Sequence, residues 1–111
     1  MEIATLSTLV AQHARSLCRE LLPDGTIEGN NYRIGDVYGD KGKSMSIRLD
    51  GPQAGEWKDF ESGDGGDLID LVSKHLGIPI KDSMEWLKRR YGIKDDTPRQ
   101  ISKVLKQKNV N

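Results

Sequence analysis

The chain has 111 residues and carries 17 basic and 17 acidic side chains, so its formal net charge is zero. This length predicts one domain with one modest core, and the charge balance excludes a uniformly basic nucleic-acid-binding coat but not a local basic patch. The single cysteine, Cys18, excludes an internal disulfide and the usual structural zinc sites, which need more than one cysteine.

The first ten residues, MEIATLSTLV, lack the basic segment and the long apolar stretch of a signal peptide. No run of apolar residues along the chain is long enough to span a membrane. We therefore expect a cytoplasmic protein, in a reducing compartment, with no membrane partner.

Residues Ile3 to Leu22 are predicted to form one amphipathic helix, ended by Pro23-Asp24-Gly25. Its apolar side chains recur at spacings of three and four, which places them on one helical face. They are Ile3, Leu6, Val10, Ala14, Leu17 and Leu21. His13 and Cys18 are interpreted as ordinary helix residues, because two ligands do not make a metal site.

The next segment, from Pro23 to Gly66, contains ten of the twelve glycines and has sparse, alternating apolar residues. This pattern predicts an antiparallel sheet of three to four short strands. The clearest strands are Tyr32 to Ile34 (with Val37 following), Ser44 to Leu49, and Glu56 to Phe60. Because so small a sheet is marginal on its own, we expect it to pack on helices.

Two helices are predicted after the sheet. The first runs from Asp67 to His75, with Asp67 as its N-cap and Gly77 just beyond its end. The second runs from Lys81 to Tyr91 and is closed by Gly92.

The predicted fold class is therefore α+β: an N-terminal helix, a small antiparallel sheet and two C-terminal helices. This domain is expected to occupy residues 1–93. Residues 94–111 are expected to form a flexible basic tail, with a loose helix from Ile101 onward.

The most specific stretch is W-x-D-F-x-S-G-x-G-G-D-L-I-D-L-V, from Trp57 to Val72. Its glycines allow positive φ or close backbone approach, and amides at the start of the following helix are able to bind an anion. The alternative is that the glycines only make a tight strand-to-helix turn.

Other chemistry in this region is not supported by the spacing of the residues. Six acidic side chains between Glu56 and Asp70 suggest a hard cation, but their spacing is not that of a calcium loop. Gly42-Lys43-Ser44 resembles the end of a P-loop, yet Val37 stands where the first glycine would be. Two histidines, both in predicted helices, support no hydrolytic triad.

The Trp57 to Val72 pattern resembles the N-terminal zinc-binding domain of DnaG-type DNA primases. It resembles still more the degenerate versions that precede Toprim or helicase modules in phage, plasmid and proteobacterial primase-like proteins. Lys43-Ser44-Met45-Ser46-Ile47 occupies the place of that family's Pro-Ser-aromatic-Ser-hydrophobic strand. The resemblance covers roughly Tyr32 to Ile93 and implies a zinc-ribbon-like sheet followed by the glycine turn and helix.

The chain departs from this family at the zinc ligands. The four ligand positions fall near Gly35, Tyr38, Asp59 and Ser62, and only Asp59 among them is able to ligate zinc. The resemblance therefore implies the fold without a metal or other cofactor. Packing by Tyr38, Trp57 and Phe60 is then expected to replace the stabilisation that zinc supplies.

The resemblance implies a non-catalytic role in replication, namely contact with single-stranded DNA template for a primase, helicase or polymerase. Catalysis in that family belongs to a separate Toprim domain, whose Asp-x-Asp pair is absent from this sequence, so we expect no enzyme activity and no catalytic residues. Binding to DNA asks for cations and aromatic faces. The candidates on the sheet are Arg33, Lys41, Lys43, Arg48, Trp57 and Lys58, and those on the last helix are Lys88, Arg89 and Arg90.

Each candidate has a simpler interpretation. Trp57 fits a core position as well as a stacking position, and the basic run from Lys88 fits a solvated helix end that complements the helix dipole. A basic tail with Lys103, Lys106 and Lys108 is also an ordinary chain terminus, or a linker if the chain is a piece of a longer protein. The alternative function is a protein-interaction adaptor that docks a primase, helicase or polymerase through the acidic turn, which runs from Asp59 to Asp70.

Overall fold

The computed structural model describes residues 1–94, which form four helices and one five-stranded antiparallel sheet. The α+β fold class is therefore confirmed. The helices are α1 (Ile3–Ala11), α2 (Ala14–Leu21), α3 (Leu68–Leu76) and α4 (Ile80–Tyr91). The strands are β1 (Thr26–Glu28), β2 (Asn31–Ile34), β3 (Met45–Arg48), β4 (Trp57–Asp59) and β5 (Gly65–Gly66). The cations of the predicted tail and the loose helix from Ile101 lie outside the described residues.

The N-terminal segment is two helices, so the prediction of one continuous helix to Leu22 is wrong. At the break, the amides of Gln12 and His13 bond to carbonyls three residues back, those of Leu9 and Val10, which tightens the last turn of α1. The His13 ring then stacks on Tyr91 of α4, with ring centroids 4.2 Å apart. This tertiary contact accompanies the break between α1 and α2. The local sequence does not predict the break, because it has no Gly or Pro there.

The strands pair in chain order, β1-β2-β3-β4-β5, so each is hydrogen-bonded to the next along the sequence. The three predicted strands are confirmed in β2, β3 and β4. Sequence analysis missed the two edge strands because neither has an alternating apolar pattern. The one apolar residue of β1, Ile27, is 40% exposed, and β5 consists of two glycines.

The turn into α3 forms as predicted. Gly63 has φ of +86°, and Gly66 approaches Asp70 so closely that a Cβ there would lie 2.4 Å from Asp70 Oδ2. The Asp67 carboxylate accepts from the Asp70 amide at 3.0 Å, and the Asp70 carboxylate accepts from the Asp67 amide at 3.0 Å. This reciprocal capping box starts α3, and Gly77 in the left-handed conformation ends it.

One core joins the inner face of the sheet to the helices. Alternate strand residues point inward, and α1, α3 and α4 pack against one another above them. The buried strand residues on this face are Tyr32, Ile34, Met45, Ile47, Trp57 and Asp59. No helix within residues 1–94 is long and apolar enough to cross a membrane.

The expected replacement of zinc by three aromatic side chains is correct only for Trp57. Its ring is 4% exposed, and its Nε1 donates to the Asp67 carbonyl at 2.7 Å, which ties β4 to the start of α3. Tyr38 and Phe60 are instead 69% and 66% exposed. The apolar faces of the helices therefore supply the core contacts that Tyr38 and Phe60 were expected to give.

Candidate nucleic-acid interface

The outer face of the sheet gathers three of the predicted cations. Successive side chains of a strand point to opposite faces, so Arg33, Arg48 and Lys58 alternate with the buried residues of β2, β3 and β4. The register pairs Arg33 with Ser46 and Ser46 with Lys58, and it pairs Asn31 with Arg48. Three adjacent strands therefore present three positive charges on one surface, which we call the cationic face.

The two arginines of the cationic face are hydrogen-bonded to neutral oxygens, although Glu28 lies near enough to Arg33 for the charge of Arg33 to help lower the Glu28 pKa. Arg33 donates to the Lys43 carbonyl at 2.6 Å, and Arg48 Nε donates to the Asn31 side-chain oxygen at 3.3 Å. Within residues 1–94, none of Arg33, Arg48 and Lys58 forms an ion pair with a carboxylate. Their charge is therefore available to an external anion.

Lys41 and Lys43 lie in the loop between β2 and β3, and only one of them is unpaired. Lys43 Nζ lies 2.6 Å from Glu28 Oε2, at the first strand. The hydrogen bond from Lys43, helped by the charges of Lys43 and Arg33, lowers the pKa of the Glu28 carboxyl. Lys41 is exposed and has no ion-pair partner among the described residues. Lys43 is thus already paired with a carboxylate of the domain, whereas Lys41 is not.

Phe60 is the exposed aromatic residue of this face, a role that sequence analysis assigned to Trp57. The Phe60 amide donates to the Ser44 carbonyl at 2.7 Å, so the pairing of β3 with β4 continues one residue past the strand. Strand alternation then places Phe60 on the side of Lys58 and opposite Trp57. The signal was present in the sequence, because positions 57 and 60 have opposite parity within one strand. Trp57 is a core residue, and its burial leaves no open ring face on which a base could stack.

An open depression of about 300 Å³ lies on this surface. It is bordered by polar and charged side chains and by the exposed phenyl ring of Phe60. Its lining residues include Asn31, Ser46, Arg48, Gln53, Glu56, Lys58 and Phe60, with the edge of Trp57.

The second predicted basic cluster, on α4, is not part of the cationic face. Lys88 Nζ lies 2.6 Å from Glu85, and Arg90 Nε lies 2.9 Å from Glu20. Arg89 is exposed and forms no ion pair with a carboxylate within residues 1–94. Helix α4 packs on α1 and α3, and the buried residues of the helices share one core with the inner-face residues of the sheet. The two clusters therefore point to different sides of the domain.

Most acids of the predicted acidic turn have roles inside the fold. Asp59 is buried, and its Oδ1 accepts from the amides of Glu61 and Ser62 at 2.9 and 3.2 Å. Asp64 lies 3.8 Å from Lys74, and Asp67 and Asp70 form the capping box. Burial is the first cause that raises the pKa of Asp70. Within residues 1–94 no group of three or more His, Cys, Asp or Glu side chains is placed to hold a metal ion.

The start of α3 is likewise occupied. The Asp67 carboxylate takes the Asp70 amide and also accepts from Ser7 Oγ at 2.9 Å. Two carboxylates at this helix terminus disfavour an external anion by charge repulsion. The interpretation of the glycines as a tight strand-to-helix turn therefore fits the structure better than the phosphate-binding one.

The four positions that match zinc ligands in the resembling family lie at one end of the sheet. Gly35 and Tyr38 follow β2, Asp59 is the last residue of β4, and Ser62 lies in the turn after it. The two segments lie at the same end of the sheet because β2 and β4 both pair antiparallel with β3. The comparisons with known proteins add no relative: no protein-family model matches the chain, and no curated protein or solved structure is significantly similar to it.

Proposed function

We propose that the chain is a non-catalytic module that binds single-stranded DNA on the cationic face, in the manner of an accessory domain of a replication primase. The observation that carries the proposal is the open sheet surface itself. It presents Arg33, Arg48 and Lys58 without ion-pair partners, beside the exposed ring of Phe60. Cations along a surface that also offers an aromatic ring are the combination that single-strand binding requires.

Single strands suit this face better than duplexes do. An aromatic ring gains affinity by stacking on a base, and only an unpaired strand has a base free to leave its own stack. Phosphates on either side of that base then approach the guanidinium and ammonium groups. Lys58 and Phe60 lie two residues apart in the same segment of chain, so the ammonium group and the phenyl ring are on the same side of the sheet.

The primase-type part of the proposal rests on the sequence resemblance. The meander of strands, the glycine turn and the helix after it follow the order that the resemblance implies. The grouping of positions 35, 38, 59 and 62 at one end of the sheet also supports it. The domain would then act beside a separate catalytic protein or domain, such as a primase or helicase.

The alternative, an adaptor that docks a protein through the acidic turn, stays a prediction. Four of its five acids take part in hydrogen bonds or an ion pair inside the domain, which leaves Glu61 as its freely exposed carboxylate. This reduces the charge that the turn offers to a basic partner.

The test is fluorescence anisotropy of a labelled single-stranded oligonucleotide, titrated with the protein at low and at moderate salt. The triple variant Arg33→Ala, Arg48→Ala, Lys58→Ala should bind about 100-fold more weakly, because each lost phosphate contact weakens binding independently of sequence. The matched control is Lys88→Ala, Arg89→Ala, Arg90→Ala, which changes the net charge by the same amount and should bind within about threefold of the native protein.

Equal losses in the two triple variants would contradict the proposal, since they would show that only net charge matters. No binding by the native protein at low salt would also contradict it. If the sheet variant is poorly folded, Lys58→Glu alone serves instead. Lys58 is exposed and unpaired among the described residues, so charge reversal there should weaken binding without unfolding the domain.

A further inference from the structure

One feature of the cationic face does not suit phosphate binding. Glu56 is exposed, lines the same depression as Arg48 and Lys58, and forms no ion pair with either of them. A carboxylate repels a phosphate backbone, so a surface for backbone alone has no use for it. A carboxylate does, however, accept hydrogen bonds from the N–H groups of a base edge.

Glu56 and Arg48 lie directly across from each other. The Arg48 amide donates to the Glu56 carbonyl at 2.9 Å, so the two residues are opposite on neighbouring chain segments. The Arg48 Nε donates to the Asn31 side-chain oxygen, which fixes the guanidinium and leaves its two terminal nitrogens to donate elsewhere. The two carboxylate oxygens of Glu56, which accept hydrogen bonds, and the two terminal nitrogens of Arg48, which donate them, therefore border one open depression.

We infer that this depression selects guanine in a single strand, with Glu56 and Arg48 as its specificity-determining residues; the inference rests on the proposed function. Guanine offers N1–H and N2–H side by side, which match the two oxygens of a carboxylate. It also offers O6 and N7 as acceptors, which match a guanidinium. Adenine, cytosine and thymine each present a donor at only one position, so they cannot make the paired bond to Glu56.

The position of Phe60 fits a neighbouring base. Glu56 and Phe60 are four residues apart, or about 13 Å at roughly 3.3 Å per residue along a strand, and both border the depression. That span leaves room for guanine to rest over the Arg48 and Glu56 side chains while the adjacent base stacks on the phenyl ring. The Watson–Crick edge used by Glu56 is free only in an unpaired strand, so selection of guanine and preference for single strands have one cause.

The experiment measures the anisotropy of labelled oligothymidylate and of the same oligomer with one central guanine. The native protein should bind the guanine oligomer about tenfold more tightly, which corresponds to one well-made bidentate contact. Inosine at the same position lacks the N2 amino group and should lose most of the preference. Glu56→Gln should abolish it. The matched control Glu61→Gln removes the same charge from an exposed carboxylate outside the depression and should keep the preference.

Equal binding of the native protein to both oligomers would overturn the inference and leave the proposed function intact. Identical loss in Glu56→Gln and Glu61→Gln would overturn it as well, since charge alone would then explain the effect. If the native protein binds neither oligomer at low salt, the proposed function fails and the inference fails with it.

Discussion

The two faces of the sheet use alternate residues of the same strands for opposite purposes. On the inner face, Tyr32, Ile47 and Trp57 are buried against helices. On the outer face, Arg33, Arg48 and Lys58 occupy the intervening positions, where the two arginines are half-buried and Lys58 is exposed. In β4 the difference is one residue, between the ring of Trp57 and the ammonium of Lys58. Strand alternation therefore places the apolar residues on the face that the helices bury and the cations on the face that remains for a ligand.

A second contrast concerns the two groups of three cations. Those on the cationic face have no carboxylate partner within residues 1–94, whereas two of those on α4 are paired with Glu85 and Glu20. The pairing matters because a cation that already faces a carboxylate gains less from a phosphate. Consecutive basic residues in the sequence are thus a weaker indication of an interface than three unpaired cations on three neighbouring strands.

The largest expected effect is on the inner face. Trp57→Ala should lower the free energy of unfolding by about 3–5 kcal/mol, because it leaves a cavity and removes the bond to the Asp67 carbonyl. Urea unfolding checks this. Alkylation of Cys18 gives a second readout, since burial raises the pKa of that thiol to about 12 and protects it while the domain is folded. A stable Trp57→Ala protein that had lost only DNA binding would reverse the assignment of Trp57.

The next effect is on the salt dependence of binding by the outer face. Removal of Arg33 and Lys58, the cations of this face that do not contact the guanine, should reduce the slope of log affinity against log salt by roughly 1.4, at about 0.7 for each phosphate contact on a single strand. Removal of the α4 cations should leave the slope close to the native value. Anisotropy titrations over a series of salt concentrations measure both slopes. A larger change in the α4 variant would show that the paired cluster is the interface.

A smaller effect is expected from the exposed ring. Phe60→Ala should weaken binding about tenfold, within the range of roughly 1–3 kcal/mol for one stacked base, and should leave the melting temperature nearly unchanged because the ring is exposed. Phe60→Tyr should restore binding. Tyr38→Ala removes an equally exposed ring from the loop and serves as the control. Equal effects at both rings would show that no specific stacking site exists.

The smallest effect concerns the ion pair at the edge of the face. Glu28→Gln should tighten DNA binding by about two- to threefold, because it frees Lys43 and removes a negative charge beside Arg33. The same gain should appear in the native protein at acid pH. The pKa of Glu28 is lowered, so its carboxylate stays charged until the pH falls below the ordinary range, and protonation then releases Lys43. Glu2→Gln, on the N-terminal helix, is the charge-matched control, and an equal gain there would contradict the expectation.

Local sequence was sufficient wherever one physical signal dominated. Asp67 followed by an apolar stripe and Gly77 predicted α3 correctly, because capping and periodicity act within a few residues. The alternation in Ser44 to Leu49 likewise predicted β3 and its buried side. Edge strands β1 and β5 were missed because they are stabilised by backbone pairing with a neighbour and carry no pattern of their own.

The candidate site was predicted in part. Arg33, Arg48 and Lys58 were identified from the sequence, but Trp57 was placed beside them and Phe60 was assigned to the core. Strand parity alone separates those two rings, yet it does not say which of them faces inward. That choice depends on where the helices lie, since the side that they cover becomes the core.

The sequence by itself determined the α+β class, the capped glycine turn and the alternation of the central strands, because propensity, capping and alternation are local properties. Only the tertiary structure decided which face of the sheet is covered, where the N-terminal helix breaks against Tyr91, and which cations are left without carboxylates. Those outcomes depend on contacts between residues far apart in the chain, such as Arg90 with Glu20 and Trp57 with Asp67, and no short-range pattern encodes them.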